Sequence, residues 1–222
     1  NLKKIKKIIK TFKPDFVFHL AAQSLVKKSY LDPINTFLTN TIGTLNVLES
    51  LKQIKNKCTI ILITSDKSYK NLELKRGYTE KDLLGGYDPY SASKGSAEFV
   101  IQSYFRSYFI GKKNISIGVA RAGNVIGGGD WSQDRLVPDC IRSWSKNKIV
   151  NLRSPQSTRP WQHVLEPLSG YLALGATLES NTEINGEAYN FGPAADQNYS
   201  VSQLINEMKK NWDNVSWEIV SE

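Results

Sequence analysis

Between Leu2 and Phe12 apolar residues alternate with lysines at helical spacing, which predicts an amphipathic helix ending before Pro14. Asp15 to Leu20 is a short apolar run and reads as a buried strand. Pro33 can open a second helix, running through Asn40, Gly43, Val47 and Leu51 to about Lys55. Cys58 to Thr64 forms a second apolar strand, followed by a loop with Gly77, Gly85 and Gly86. Asp88-Pro89 has the pattern of an N-cap followed by proline at the first helical position, and predicts a long helix to about Phe109. Ile115 to Ala120 is a third strand. After Gly129 the pattern loosens into helices near Val137–Trp144, Glu166–Leu178 and Ser200–Trp212, with a strand at Ala188–Phe191. Helices alternating with short apolar strands predict an α/β fold with a doubly wound parallel sheet and a smaller lobe.

Composition changes this picture little. Of 222 residues, 40% are hydrophobic and 23% charged, within the usual range of globular proteins. No apolar run approaches membrane-spanning length, and no signal-peptide pattern is seen, so no membrane partner is expected. Cys58 and Cys140 form no CxxC pair, which fits a reducing, cytoplasmic setting. The net charge of +8 admits a nucleic-acid partner or a phosphorylated small molecule. Solvated lysines on helix faces are the plainer account, and no nucleic-acid motif accompanies them.

Three segments carry candidate chemistry. Tyr90 and Lys94 stand four apart on the predicted helix and so share a face. An ammonium beside a phenol favours the phenolate, and such a tyrosine can take the proton of an alcohol while hydride leaves for a nicotinamide. A surface lysine next to a half-buried tyrosine gives the same pattern. The strand Ile60–Thr64 runs into Ser65-Asp66-Lys67, placing a hydroxyl and two ionisable groups where open α/β sheets bind ligands. A plain strand-to-loop turn with a solvated Asp-Lys pair is the alternative. The first strand leads into His19-Leu20-Ala21-Ala22-Gln23-Ser24, whose small residues admit either a flat ligand or a tightly packed helix. His19 and His163 read as structural hydrogen-bonders, and no His/Cys/carboxylate cluster has metal-ligand spacing.

Taken in order and spacing, His19-Leu20-Ala21-Ala22, Thr39-Asn40-Thr41-Ile42-Gly43-Thr44, Ser65-Asp66-Lys67 and the YxxxK pair resemble an extended short-chain dehydrogenase/reductase. Leu84 to Ser91, Asn124 to Trp131, Asp134 to Asp139 and Arg159 to Leu168 are similar to the CDP-glucose 4,6-dehydratase branch of that family. The resemblance implies a partial Rossmann-type domain over residues 1–123 that binds NAD and carries the catalytic groups. Residues 124–222 would be mainly a sugar-nucleotide-binding lobe interleaved with it.

The implied reaction oxidises CDP-glucose at C4, eliminates water across C5 and C6, and returns hydride to C6. In it Tyr90 is the base at the C4 hydroxyl, assisted by Lys94. Ser65 bonds the same oxygen, and Asp66 is the acid for the departing C6 hydroxyl, protonated in a dry site. Lys67 departs from the dTDP-glucose relatives, which carry Glu here. It is either a neutral base for the C5 proton or a cation facing the enolate. NAD contacts are implied for Leu20, Ala21, Ala22, Thr39, Tyr90, Lys94 and the Val125 backbone. Substrate contacts are implied for Ser24, Asn124, Arg135 and Arg159. Each arginine has a surface ion pair as its alternative, and Arg153 stays open.

The resemblance further implies a homodimer through a four-helix contact, with Leu45, Leu48, Val100 and Tyr104 lining the face or else the core. Its setting would be deoxysugar synthesis for a bacterial polysaccharide. No Gly-rich turn precedes His19, so the chain is expected to begin partway through the family's domain and to leave a bare sheet edge. Two readings compete with this activity: another nucleotide-sugar dehydratase or epimerase, and a sugar-nucleotide-binding fragment without turnover.

Overall fold

The structure is a computed structural model and describes residues 1–194, 196–213 and 215–220. The chain forms two units, Asn1–Gly123 with Pro167–Phe191, and Asn124–Glu166 with Gly192–Glu222.

The first unit opens with α1 (Leu2–Phe12), β1 (Phe16–His19), α2 (Val26–Leu31) and α3 (Pro33–Phe37). A π-helical turn over Leu38–Ile42 joins α3 to α4 (Gly43–Leu51). There follow β2 (Cys58–Ile63), a 3-10 turn at Asp66–Ser68, α5 (Pro89–Tyr104) with a π-helical turn over Phe105–Phe109, and β3 (Ile115–Ala122). The chain then crosses into the second unit with β4 (Val125–Ile126), α6 (Leu136–Trp144), β5 (Val150–Leu152), β6 (Thr158–Arg159) and β7 (Gln162–His163). Helix α7 (Leu165–Ser180) leads back to β8 (Ala188–Phe191) of the first unit. The second unit closes with β9 (Tyr199–Ser200), α8 (Val201–Lys209) and β10 (Trp217–Ile219).

The main sheet has the order β1-β2-β3-β8 and is parallel throughout, with Phe18 opposite Ile61, Ile61 opposite Gly118 and Ala120 opposite Tyr189. Parallel strands need crossovers, and here helices cover both faces. Ile60 and Leu62 point into a core with Leu48, Leu51, Ile101 and Phe109, while Ile61 points into another with Tyr171, Leu174 and Leu178 of α7. Both faces of β2 are therefore apolar, which is why it reads as an unbroken hydrophobic run.

Strand β1 departs from the expectation of a buried strand. It is an edge strand bonded on one side, and Phe16, Phe18 and Leu20 are exposed. Val17 packs into the α4/α5 core, and Phe16 and Phe18 stack on the face next to Gly175 of α7. Leu48 is wholly buried in the core, while Val100 and Tyr104 pack against that core and are only partly buried. The expected helix from Pro33 to Lys55 is interrupted by its π-helical turn and ends at Leu51.

In the second unit, Cys140, Trp144, Val150, Leu152 and Ile205 form a separate core. The Trp144 indole donates to the Ser216 carbonyl at 3.0 Å. Helix α8 begins with a capping box, in which Ser200 Oγ accepts from Gln203 N and Gln203 Oε1 accepts from Ser200 N. Both cysteines are buried; burial pushes Cys58 up to about 11 and Cys140 up to about 12.

Candidate active site

The sheet ends its second strand at Ile63, and the next residues bend into the 3-10 turn. Ser65 caps that turn: its Oγ accepts from Lys67 N at 3.2 Å and its carbonyl accepts from Ser68 N at 3.0 Å. Ser65 Oγ also donates to Asp66 Oδ1 at 3.1 Å. Ser65 is buried, Asp66 half-buried and Lys67 exposed. Gly123, just past β3, lies against the Asp66 carboxylate so closely that any side chain there would collide with it.

Helix α5 brings up the second half of the site. Asp88 caps it, accepting from Ser91 N at 3.0 Å and Ser91 Oγ at 2.6 Å, with Pro89 in the first turn. Tyr90 is buried, and its backbone N–H donates to Ser29 Oγ at 3.1 Å. Lys94 lies one turn along, 5% exposed. Among the described residues its Nζ has a single hydrogen bond, a long one of 3.5 Å to the Ile63 carbonyl. Burial pushes Lys94 down to about 8, against the opposing pull of Glu98. An ammonium with donors to spare is thus aimed at the strand end that carries Ser65 and Asp66.

The segment after β1 is tied to the same helix. Asn40, in the π-helical turn, accepts from Gln23 N at 2.8 Å, donates to Gln23 O at 2.9 Å and donates to Ser93 Oγ at 2.9 Å. Ser93 Oγ in turn donates to the Tyr90 carbonyl at 2.7 Å. Ala22 is half-buried, and Leu20, Ala21 and Ser24 are exposed past the end of β1. Thr39 is half-buried, its Oγ1 3.5 Å from Asn35 Oδ1. His19 is structural, sharing a hydrogen bond of 3.2 Å with Thr44 Oγ1. Burial, with the charge of Lys94, pushes it down to about 4.

Asn124, Val125, Arg135 and Arg159 belong to the second unit. Asn124 adopts the left-handed conformation (φ 43°), which asparagine tolerates better than most residues, and its carbonyl accepts from Gln162 N. Val125 pairs with Gln162 across β4 and β7. Arg135 sits 3.6 Å from Asp130, and Arg159 donates to the Thr158 carbonyl at 2.6 Å.

The structure therefore joins Ser65, Asp66, Tyr90 and Lys94 on facing elements of the first unit. It also contains what the sequence reading passed over: a buried ion pair between Glu98 of α5 and Arg121 of β3, with Nε–Oε1 2.8 Å and Nη2–Oε2 3.0 Å. Two signals were available. Glu98 follows Lys94 by one turn, and Arg121 is the one charge in a strand that is otherwise uncharged.

This arrangement of strand-end turn and helix invites comparison with known proteins. The GDP-mannose 4,6 dehydratase family matches residues 1–218. The chain belongs to this family. It is 46% identical to the CDP-glucose 4,6-dehydratase of Salmonella typhimurium over 98% of its own length and 62% of that protein's. The chain thus spans less than two thirds of that dehydratase. Among solved structures it superposes on a UDP-glucuronic acid 4-epimerase from Bacillus cereus, bound to UDP-glucuronic acid and NAD, with a TM-score of 0.85 at 22% identity. That match covers the whole chain and 67% of the epimerase. A dTDP-glucose 4,6-dehydratase from Streptomyces venezuelae, a double mutant with NAD bound, gives a TM-score of 0.80 at 19% identity, over the whole chain and 65% of that protein. These two likenesses establish the doubly wound α/β fold.

Proposed function

We propose that this chain carries the catalytic groups of an NAD-dependent CDP-glucose 4,6-dehydratase, a lyase that makes the 4-keto-6-deoxy sugar nucleotide. The observation that carries this reading is the buried Lys94 ammonium, pointed at the end of the strand that bears Ser65 and Asp66. The 46% identity to a CDP-glucose 4,6-dehydratase supports the choice of substrate.

The residues present fit a nicotinamide cofactor. A buried lysine with unused donors suits ribose hydroxyls, and the small Ala21 and Ala22 leave the end of β1 open to a flat ring. Leu20, Thr39, Tyr90 and the Val125 backbone complete the proposed contacts. When bound, NAD supplies a reversible hydride acceptor, so that the sugar is oxidised at C4 and later reduced at C6. Tyr90 takes the proton of the C4 hydroxyl, and the positive Lys94 on the same helix face favours its phenolate form. Ser65 Oγ holds the same oxygen. The ketone acidifies C5. Asp66 is the acid that passes a proton to the departing C6 hydroxyl, which leaves as water. The C5 proton passes either to Lys67, exposed on the same turn, or to solvent while Lys67 faces the enolate, and a proton returns to C5 when hydride reaches C6. Ser24, Asn124, Arg135 and Arg159 are proposed to hold the sugar and diphosphate, the arginines by their planar forks.

A homodimer and a cytoplasmic setting in deoxysugar synthesis go with this reading. Ile34, Leu38 and Ile42, spaced four apart from α3 into the π-helical turn, and Phe99 of α5, which packs on that turn, are all exposed. Together with the half-buried Leu45, Val100 and Tyr104 they form the proposed dimer face, while Leu48 belongs to the core.

The test is thermal shift with CDP-glucose, dTDP-glucose and NAD separately, followed by product analysis with NAD and CDP-glucose together. A ligand at a hundredfold excess over its Kd stabilises the fold by about 2.7 kcal/mol. Stabilisation by CDP-glucose over dTDP-glucose, with formation of a 4-keto product lighter by one water, is expected. Tyr90→Phe should lower turnover by roughly 10²–10⁴-fold with binding retained. A product of unchanged mass would favour an epimerase, a reading supported by 27% identity to a UDP-glucose 4-epimerase of Mycoplasma pneumoniae. Binding without turnover would leave a sugar-nucleotide-binding chain.

A further inference from the structure

The Glu98–Arg121 pair is almost fully buried, with 1% and 2% of its side chains exposed. A buried ion pair gains little stability over well-packed apolar residues, because desolvating two charges offsets their attraction. Its partners suggest another purpose. Thr64, the residue just before Ser65, donates from Oγ1 to Glu98 Oε1 at 2.5 Å. Arg121 Nη1 donates to Tyr69 Oη at 2.7 Å, and Tyr69 follows the 3-10 turn directly. Tyr69 donates onward to Asn190 Oδ1 of β8 at 2.7 Å, while the Arg121 guanidinium lies 4.9 Å from the Tyr69 ring centre. Burial opposes the charge on Arg121, but hydrogen bonds and attraction from Glu98 outweigh it and raise its proton affinity above the ordinary value. The pair therefore grips the Ser65-Asp66-Lys67 turn at both ends, from Thr64 and from Tyr69. It anchors that turn to α5 one helical turn beyond Lys94.

We propose that Glu98 and Arg121 are positioning residues that fix the turn bearing Ser65 and Asp66 against the helix bearing Tyr90 and Lys94. The proposal rests on the dehydratase reading for its catalytic consequence and on the geometry alone for its structural one. A misplacement of about 1 Å between reacting groups can cost on the order of 100-fold in rate. A link of this kind acts on kcat and leaves the substrate's hold untouched.

The experiment compares the full chain with Thr64→Val and Thr64→Ser, the first removing the hydroxyl at constant volume and the second keeping it. Amide hydrogen exchange at Lys67 and Ser68 is read against Ile60 and Leu62 of β2. Turnover is measured with NAD and CDP-glucose. Thr64→Val is expected to speed exchange at Ser68 by about tenfold, the loss of roughly one hydrogen bond, with Ile60 and Leu62 unchanged. It should also lower kcat by about tenfold with KM within about twofold, and Thr64→Ser should restore both. Parent-like exchange at Ser68 in Thr64→Val overturns the proposal, as does faster exchange with an unchanged kcat. Should Thr64→Val not fold, Tyr69→Phe unties the pair from its other end and is judged by the same two readouts. If the parent itself makes no product, the dehydratase reading falls, and the exchange measurement still decides whether the pair holds the turn.

Discussion

Lys94 carries its charge where the surroundings resist it. Its folded value of about 8 lies below the ordinary 10.5, so folding weakens its grip on the proton. The stability it contributes is present above 10.5 and is lost as pH falls through 8. Lys94→Met removes that cost. The variant should be more stable than the parent at pH 7, by at most about 3 kcal/mol. The advantage should shrink to nothing as pH rises from 8 to 10.5. Urea unfolding at a series of pH values checks this, and a difference that does not vary with pH refutes it. His19 behaves differently in its own range. Neutral down to about 4, it contributes stability that is complete above 6.5 and falls away between 6.5 and 4. At the pH where Lys94 titrates, His19 is already uncharged, so Lys94 lowers the value of His19 without an equal return effect.

Helix α5 is the element that turns a local signal into a site. Its cap, Asp88, was legible because Asp-Pro before an apolar-periodic segment satisfies the free N–H groups of a first turn. Asp88→Ala should cost about 1 kcal/mol, a fall of roughly 2–4 °C in Tm, read by thermal unfolding. No loss in Tm would mean that Pro89 alone fixes the helix start. Each strand of the main sheet was likewise readable from its apolar run, since β2 and β3 are covered on both faces. Three features were not. The short α2 has no side-chain cap and no apolar period long enough to detect. The π-helical turn at Leu38–Ile42 is a matter of hydrogen-bond register, to which residue type is nearly blind. Strand β1 has the same hydrophobicity as a covered strand, and only its neighbours reveal that it is an edge. Within the site, Tyr90, Lys94, Ser65 and Asp66 could be found from spacing and resemblance. The Glu98–Arg121 link could not, because it joins residues 23 apart in sequence that only the finished sheet brings together.

For the whole molecule, the 29 basic residues are spread along the chain and densest on α1, which carries five lysines, while the proposed dimer face on α3, the π-helical turn and α5 has exposed apolar residues. Light scattering should therefore give twice the monomer mass, and Leu38→Glu should give a folded monomer, since Leu38 is exposed in the single chain. A monomer in the parent would count against the face. The two buried thiols have a practical consequence of another kind. Thiolate is the reactive form, and burial keeps Cys58 and Cys140 as thiols at neutral pH. A maleimide dye should pass them by in the folded protein. One cysteine introduced on each unit would then be labelled alone, with no need to delete the native pair. Fluorescence transfer between the dyes could follow, in real time, how the two units respond to each ligand.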